Sequence, residues 1–315
     1  MIVTLCGGVG ASRFLRGLLA VVEPSSVVAV VNTGDDVVLH GLRVSPDLDT
    51  VTYALAGVVE PTQGWGLEGE SWTVMEALDH LRPAAPDGSG AGATWFRLGD
   101  RDLATHLYRT QRLREGAPLS VVTAEIAAAW GLGCRLLPMT DDRVETRVTV
   151  AGEGEIGFQD YFVGRRHSVT VTSLRFAGAE AAVPAPGVVE ALQAAERVVI
   201  APSNPVVSIA PVLAVAGIDE AVAARREDTV AVSPIVAGAA LKGPADRLLA
   251  ELGHQPSVVG VARLWAPWAA TLVVDEADAD LAPAVEEEGL RCVVAPTVMS
   301  GPAEAAALAR AVLGA

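Results

Sequence analysis

The chain has 315 residues, of which 51% are hydrophobic and only 4% aromatic, so we expect an aliphatic core of domain size. Its formal net charge of -15 argues against a nucleic-acid partner, because neutralising phosphates requires clustered Lys and Arg side chains. Three widely spaced cysteines indicate neither a disulfide framework nor a zinc site, and no apolar stretch reaches the roughly 18 to 20 residues of a membrane helix. We therefore expect a cytoplasmic protein that does not bind membranes.

The first predicted strand begins at Ile2 and stops at a cluster of glycines, after which a helical pattern starts. Backbone N–H groups at such a turn, together with the positive end of the helix dipole, favour an anion such as phosphate. The third glycine of a dinucleotide fingerprint is missing, and no Lys-Ser or Lys-Thr follows as in a P-loop. The pattern fits either a phosphate-binding turn or a plain tight turn. The neighbouring Ser12 hydroxyl and Arg13 guanidinium favour the phosphate-binding turn. The predicted phosphate-binding residues are Gly8, Gly10, Ala11, Ser12 and Arg13.

Acidic side chains follow the second predicted strand, the apolar run from Val27 to Val31. Asp35 and Asp36 come directly after it, and Asp47 and Asp49 lie in the segment SPDLDT. Because parallel strands end at one edge of a sheet, these carboxylates should lie beside the glycine turn. Carboxylates there suit Mg²⁺ held together with a substrate phosphate, or a base that orients a hydroxyl, whereas the alternative is a set of Asx caps in turns. The predicted catalytic and Mg²⁺-binding residues are Asp35, Asp36 and Asp49.

The middle of the chain is mainly helical in pattern. In chain order, the spacing predicts a helix over 70–81, a loop over 83–94, helices over 95–113 and 118–130, and some antiparallel strands within 134–176. The helix in 95–113 should be capped near Asp100 or Asp102. We interpret His106 as structural or exposed rather than catalytic, because no partner for it is visible in the sequence.

Parallel strands return in the last part of the chain. The strand predicted near 197–201 ends at Ser203 and Asn204, which either bind a ligand or form a helix cap before Pro205. Further strands are predicted over 229–232, 271–274 and 291–294. The expected fold is α/β and Rossmann-like: a doubly wound, mainly parallel sheet in a single domain, 1–315, with a largely helical insertion at approximately 48–135.

Several segments in order resemble the phospholactate transferase family of deazaflavin coenzyme F-420 biosynthesis. They include GGVGASRFLRGL, VNTGDD, HGLRVSPDLDT, WFRLGDRDLATH, FQDYFV and IAPSNPVVSI, and they extend from Ile2 to about Gly243. The resemblance implies a Mg²⁺-dependent transfer of a phospholactyl or phosphoenolpyruvyl group from a guanosine-diphosphate-activated donor to a ribityl hydroxyl of the deazaflavin precursor Fo, with GMP leaving. It also implies a homodimer. Asp49 and Arg97 would contact the deazaflavin, and the helical insertion would form part of the deazaflavin site.

The residues already chosen fit such a reaction. Phosphoryl transfer depends mainly on positioning and charge neutralisation, so the glycine-turn amides, Arg13 and a cation on the aspartates would hold the diphosphate. Ser203 and Asn204 are assigned to the guanosine diphosphate side.

Two other functions are weighed against this one. A nucleotide-sugar-binding regulatory protein of the same fold is the main alternative, which the PDLDT and RLGDRDLATH segments disfavour. A nicotinamide oxidoreductase is disfavoured because Asn32, not an acid, ends the second strand.

Overall fold

The apolar segment from Ile2 to Cys6 forms an interior strand of a seven-stranded parallel sheet in a computed structural model, which describes residues 1–86 and 88–315. The strands are β1 Ile2–Cys6, β2 Val27–Val31, β3 Val37–Leu39, β4 Leu42–Val44, β5 Arg135–Pro138, β6 Glu145–Val150, β7 Gly154–Gly157, β8 Val171–Ala177, β9 Arg197–Ile200, β10 Thr229–Val232, β11 Ile235–Val236, β12 Ala239–Ala240, β13 Thr271–Val274 and β14 Arg291–Val294. The α-helices are α1 Gly8–Leu19, α2 Pro46–Leu55, α3 Thr73–Leu81, α4 Asp102–Arg114, α5 Leu119–Ala129, α6 Val188–Ala194, α7 Ala210–Leu213, α8 Ile218–Ala223, α9 Ala245–Glu251, α10 Val258–Trp265, α11 Ala282–Glu287 and α12 Pro302–Gly314.

The strand order of the main sheet is β14-β13-β10-β9-β1-β2-β5. The chain therefore builds outward from β1 through β2 to β5, and then crosses over to start the other half at β9. In register, Val3 of β1 lies between Val28 of β2 and Val198 of β9. Ligands of open α/β sheets bind at such a reversal of strand order, outside the carboxyl ends of the strands.

Alternate side chains of the sheet point into two aliphatic layers, one on each face. Val3 and Leu5 face one layer, whereas Cys6 packs with helix α1 in the other. Gly17 of α1 permits close contact with α12, since a Cβ there would lie 2.2 Å from the backbone oxygen of Ala305. Helical layers cover both faces of a parallel sheet, which confirms the predicted doubly wound α/β class.

Most of the predicted elements are present, with shifts at their ends. The helix predicted over 70–81 begins at Thr73, and those over 95–113 and 118–130 correspond to α4 and α5. Within 134–176, β6, β7 and β8 form an antiparallel sheet, whereas β5 joins the parallel one. The predicted loop 83–94 includes Asp87, which lies outside the described residues, and short 3-10 turns occupy Arg82–Ala84 and Gly90–Gly92.

The segment between β4 and β5 contains α2 to α5, in the region predicted as a helical insertion. Over the described ranges, no helix combines the length and the apolarity that a membrane crossing requires.

Candidate active site

A cavity of about 630 Å³ opens at the carboxyl ends of β1 and β9, where the strand order reverses. Its walls come from both halves of the sheet and from the helical segment between β4 and β5. The cavity lining includes Gly8, Gly10, Arg13, Asp35, Asp47, Asp49, Tyr53, Trp65, Phe96, Arg97, Asp102, His106, Phe158, Gln159, Phe162, Ser203, Asn204, Lys242 and Thr297.

The glycine turn after β1 lies directly against the turn after β9. Gly8 has φ +71°, in the left-handed region that glycine adopts freely, and a Cβ on Gly10 would lie 2.2 Å from the backbone oxygen of Pro202. Ser203 joins the two turns, because its hydroxyl accepts from the Gly7 N–H at 3.3 Å and donates to the Gly7 carbonyl at 2.8 Å. Gly7, the N-cap residue of α1, has no side chain to cap the helix, and the amide of Gly8 donates to the Asp47 carboxylate instead.

The predicted phosphate-binding residues divide into two groups. Gly8, Gly10 and Arg13 line the cavity with Ser203 and Asn204, whose side chain also accepts from the Val206 N–H and so caps the following turn. Ala11 and Ser12 are buried behind the glycine turn, where the Ser12 hydroxyl donates to the Val9 carbonyl at 2.9 Å.

Asp35 and Asp47 form a buried carboxylate pair beside this turn. The side-chain amide of Asn32 donates to both, at 3.2 Å to Asp35 and 2.9 Å to Asp47, and Gln159 donates to Asp35 at 3.2 Å. Burial, and then the charge of Asp47, raise the pKa of Asp35 well above its ordinary value. Burial also raises the pKa of Asp47 to about 6, against the opposing effect of hydrogen bonds from Asn32 and the Gly8 amide.

Asp36 points away from this pair. Its carboxylate accepts from the Ser45 hydroxyl at 2.7 Å and lines a separate cavity of about 30 Å³ that Arg43 also lines. Burial raises the pKa of Asp36 to about 7, although Ser45 and Arg109 act to lower it. The structure therefore brings Asp35 and Asp49 to the main cavity and places Asp36 behind them.

Asp49 belongs to a buried polar network between α2 and α4. Both terminal nitrogens of Arg109 donate to its carboxylate, one of them at 3.1 Å. His106 lies between Asp49 and Asp102, with Nδ1 3.7 Å from Asp49 and Nε2 3.1 Å from Asp102. The Tyr53 hydroxyl donates to Asp102 at 2.6 Å. His106 is therefore buried between two carboxylates. Of the two predicted alternatives, a structural role fits this position, and an exposed side chain is wrong.

Two groups of side chains place possible metal ligands close together. Ligand atoms of Asp49, Asp102 and His106 lie within 4.8 Å of one another, but the Arg109 guanidinium already neutralises Asp49 there. Asp35 and Asp47 instead present hard oxygen atoms; burial raises the pKa of both, and the charge of Asp47 raises that of Asp35 further. A buried pair of this kind gains from a divalent cation, so Asp35 and Asp47 fit Mg²⁺ better.

Aromatic side chains form another part of the cavity lining, the aromatic wall. Phe158 and Phe162 are stacked with ring centroids 5.4 Å apart, and Trp65 and Phe96 line the same space. Arg97, on the rim, lies 5.1 Å above the ring of Trp72. This wall offers a slot for a flat ring beside the polar groups.

Sequence reasoning noted Asp47 without assigning it a role, and it missed Gln159, Arg109 and Lys242. The FQDYFV segment containing Gln159 was a signal, since it was among the segments that carried the family resemblance. Arg109 lies in α4, seven residues beyond the Asp102 start, where the sequence offers no sign of its long-range partner.

Comparison with known proteins assigns the family. The sequence matches the family described as 2-phospho-L-lactate transferase CofD over residues 2–297. The chain belongs to this family. Proteins named phosphoenolpyruvate transferase from Streptomyces griseus and Kitasatospora aureofaciens are 46% and 44% identical to it, and each alignment covers 99% of this chain and 97% or 96% of the relative. A Thermobifida fusca protein of the same name is 45% identical over 98% of this chain and 96% of its own length. The chain is thus a transferase of the phosphoenolpyruvate or phospholactate type.

Solved structures support the fold of this transferase. An X-ray structure of a Bacillus halodurans protein matches with a TM-score of 0.63 and 17% identity, covering 99% of this chain and 98% of the other. A second Bacillus halodurans structure, described as a member of the UPF0052 family, matches with a TM-score of 0.60 and 16% identity over the same shares. At this identity the likeness concerns the fold alone.

The transferase family match extends well beyond Gly243, where the recognisable sequence segments end. In the structure this C-terminal part contributes strands β13 and β14 and the cavity residues 297–300. The buried carboxylate of Asp275, after β13, accepts from the Thr297 N–H at 2.8 Å and so fixes this wall of the site.

Proposed function

We propose that this transferase moves a phosphoenolpyruvyl or phospholactyl group from a guanosine-diphosphate-activated donor to the ribityl hydroxyl of Fo, 7,8-didemethyl-8-hydroxy-5-deazariboflavin. The products would be GMP and coenzyme F-420-0 or its dehydro form. The observation that carries the proposal is one cavity in which an amide-rich turn, a buried carboxylate pair and an aromatic wall face one another. The names of the relatives favour the enolpyruvyl donor.

The donor's diphosphate is assigned to the glycine turn. The N-cap residue of α1 is a glycine with no capping side chain, and the helix dipole adds positive potential at the same point. Arg13 supplies a guanidinium one turn into α1. Ser203 and Asn204 continue this surface below the guanosine, with Ser203 holding the two turns at a fixed distance.

Asp35 and Asp47 are assigned to Mg²⁺, with Asn32 and Gln159 orienting their carboxylates. When bound, Mg²⁺ would neutralise charge on the bridging and leaving phosphate oxygens. Asp36 and Asp49 were also predicted as ligands. Asp36 is held by Ser45 behind the pair, and Asp49 is neutralised by Arg109, so we assign both to supporting roles toward the cation.

Asp49 and Arg97 are assigned to Fo. The tricyclic ring would lie against the wall of Phe158 and Phe162 with Arg97 at its edge, and the ribityl chain would reach the carboxylates. Arg109 fixes the orientation of Asp49 at the cavity wall, so that its carboxylate can accept a hydrogen bond from the attacking hydroxyl. In this arrangement the helical segment between β4 and β5 supplies half of the Fo site.

The reaction is a single displacement at phosphorus. The Fo hydroxyl oxygen forms a bond to the phosphorus that carries the three-carbon group, and the bond from that phosphorus to the GMP oxygen breaks. The hydroxyl proton passes to the carboxylate of Asp49, and the electron pair of the broken bond leaves with GMP. The protein contributes alignment and charge neutralisation, which account for most of the catalysis in such transfers.

The test is incubation of the full chain with Fo, Mg²⁺ and the enolpyruvyl, lactyl or glyceryl guanosine donor, followed by mass spectrometry of the deazaflavin. We expect a phosphorylated three-carbon adduct of Fo, together with GMP, from at least one donor. A protein that binds neither Fo nor the donors, but binds nucleotide sugars, would overturn the proposal in favour of the regulatory alternative. The homodimer and the cytoplasmic location stay predictions.

A further inference from the structure

Lys242 is the only lysine in the chain, and it lies on the rim of the cavity. It follows the short hairpin of β11 and β12 and precedes α9, so it comes from the C-terminal half of the sheet. Its side chain is exposed to solvent at that rim. None of the proposed donor or Fo contacts above involves this residue.

Lys242 extends across the cavity mouth toward the glycine turn. Its ammonium donates a hydrogen bond to the backbone carbonyl of Gln63, in the loop that follows α2. At the next residue, Gly64, a Cβ would lie 3.5 Å from the Lys242 Nζ and 2.8 Å from the Val9 side chain. The ammonium and the glycine turn therefore flank the same point of this loop.

Arg13 is the second cation at this place. Partial desolvation, and then the charge of Arg13, lower the pKa of Lys242, whereas Glu60 acts in the opposite direction. Within the described ranges, neither cation has a carboxylate at 4.0 Å or less, the limit for an ion pair. Two cations without a close counter-ion, in a chain of net charge -15, favour the binding of an anion between them.

We propose that Lys242 is a substrate-binding residue that, with Arg13, holds an anionic oxygen group of the donor against the glycine turn. This inference rests on the proposed function, since the donor carries both a diphosphate and a carboxylate. An ammonium has three N–H donors, of which the Gln63 carbonyl uses one, so two are free to bind oxygen atoms. With the donor bound, Lys242 would contact both the donor and the Gln63 loop, and so would join that loop to the C-terminal half of the site.

Because Lys242 is the only lysine, amine acetylation of the intact protein reports on it alone, apart from the N-terminal amine. That amine pairs with Glu196 at 3.0 Å, at the opposite end of β1 from the cavity, and serves as an internal reference. We expect GDP with Mg²⁺ to slow acetylation of Lys242 several-fold and to leave the reference rate unchanged, as followed by peptide mass spectrometry. Protection by phosphoenolpyruvate but not by GDP would assign the three-carbon end of the donor, rather than its guanosine diphosphate end, to Lys242.

Calorimetry on the same samples separates this inference from the proposed function. If GDP binds and neither ligand slows acetylation, Lys242 does not contact the donor, while the proposed function stands. If neither GDP nor any guanosine donor binds, both proposals fail together.

Variants give a second, independent measurement. Lys242→Met should raise the KM for the donor about ten- to a hundredfold, the effect of losing a hydrogen bond to a charged group, while the KM for Fo stays unchanged. Lys242→Arg should recover part of the loss because it keeps the charge. The matched control is Arg16→Gln, which removes an exposed cation from α1 outside the cavity lining. An unchanged donor KM in Lys242→Met would overturn the proposal.

Discussion

Arg109 lies against Asp49 in the interior, with both terminal guanidinium nitrogens donating to the two carboxylate oxygens. Arg109 is 2% exposed and Asp49 is 5% exposed, so neither charge is hydrated in the usual way. Although burial alone would lower it, the charge of Asp49 raises the pKa of Arg109 above its ordinary value. Each group is therefore the counter-ion of the other.

Removing one member of this pair should destabilise the protein strongly. Arg109→Met leaves Asp49 buried without a counter-ion, which typically costs about 3 to 5 kcal/mol. We expect the free energy of unfolding in urea to fall by that order. The control is Arg112→Met on the same helix, where Arg112 pairs with Glu115 and Glu125 at the surface and little change is expected. Equal losses in the two variants would contradict the buried-pair argument.

Magnesium should stabilise the folded protein through Asp35 and Asp47. A ligand present at a hundred times its Kd adds about 2.7 kcal/mol to the free energy of unfolding. We expect Mg²⁺ to raise the Tm of the GDP-bound parent chain further, and this Mg²⁺-dependent rise to disappear in Asp35→Asn and in Asp47→Asn. Asp228→Asn, which changes a surface carboxylate paired with Arg225 at 2.8 Å, should keep the full rise. A rise retained in the first two variants would place the cation elsewhere.

Local patterns were enough to predict the framework of the fold. The strands over 229–232, 271–274 and 291–294 were predicted at their observed bounds, and so was Val27–Val31, because each is a short apolar run between turn residues. The glycine turn and the Ser203 turn were also predicted to lie at the ligand edge. Their proximity follows from strand order, since β1 and β9 are neighbours in the sheet.

Side-chain contacts between different helices could not be predicted from the sequence. A cap was predicted for α4 at Asp100 or Asp102, and α4 does begin at Asp102, but the Asp100 carboxylate instead accepts from the Thr73 and Val74 N–H groups and caps α3. Of the two partners of His106, Asp102 lies four residues earlier on α4 and was overlooked, whereas Asp49 comes from another helix and leaves no local signal. Such pairs have no local periodicity, and only tertiary packing creates them.

Stability should depend on pH through the buried aspartates. In the folded, metal-free protein the pKa of Asp36 is about 7, against an ordinary value of 3.8 for the unfolded chain. Between these values the folded state binds more protons, so the free energy of unfolding must fall as pH rises, by up to about 1.4 kcal/mol per unit per group. Asp36→Asn should reduce this slope because one titrating group is removed.

The measurement is urea unfolding in a chelating buffer at several pH values between about 4 and 7. Asp35 and Asp47, whose pKa values are also raised, would maintain part of the slope in the variant. Asp228→Asn, at the surface, again serves as the control, and it should keep the parent slope. If Asp36→Asn also keeps the parent slope, Asp36 is ionised in the folded protein throughout this range.

Two glycines of α1 offer a matched pair of packing variants. A Cβ at Gly10 or at Gly17 would meet a backbone oxygen at 2.2 Å, of Pro202 and Ala305 respectively. Each alanine substitution should lower the free energy of unfolding by about 1 to 3 kcal/mol. Only Gly10→Ala should also raise the donor KM, because it separates the two turns that form the donor site. A similar donor KM in both variants would show that the close approach at Gly10 serves stability alone.

Arg97 should determine Fo binding without affecting the donor. Its guanidinium stacks over Trp72 at 5.1 Å and lies 3.8 Å from Asp79, so it is held at the rim of the aromatic wall. Arg97→Ala removes a cation that contacts the ring edge and should raise the KM for Fo about tenfold, as followed by steady-state kinetics. Arg97→Lys should give an intermediate value, because an ammonium keeps the charge but loses the planar stacking surface.

Arg82→Ala, an exposed change of the same charge outside the cavity lining, should leave both KM values unchanged. An increase in the donor KM of Arg97→Ala equal to that for Fo would show that Arg97 shapes the whole cavity rather than the deazaflavin side.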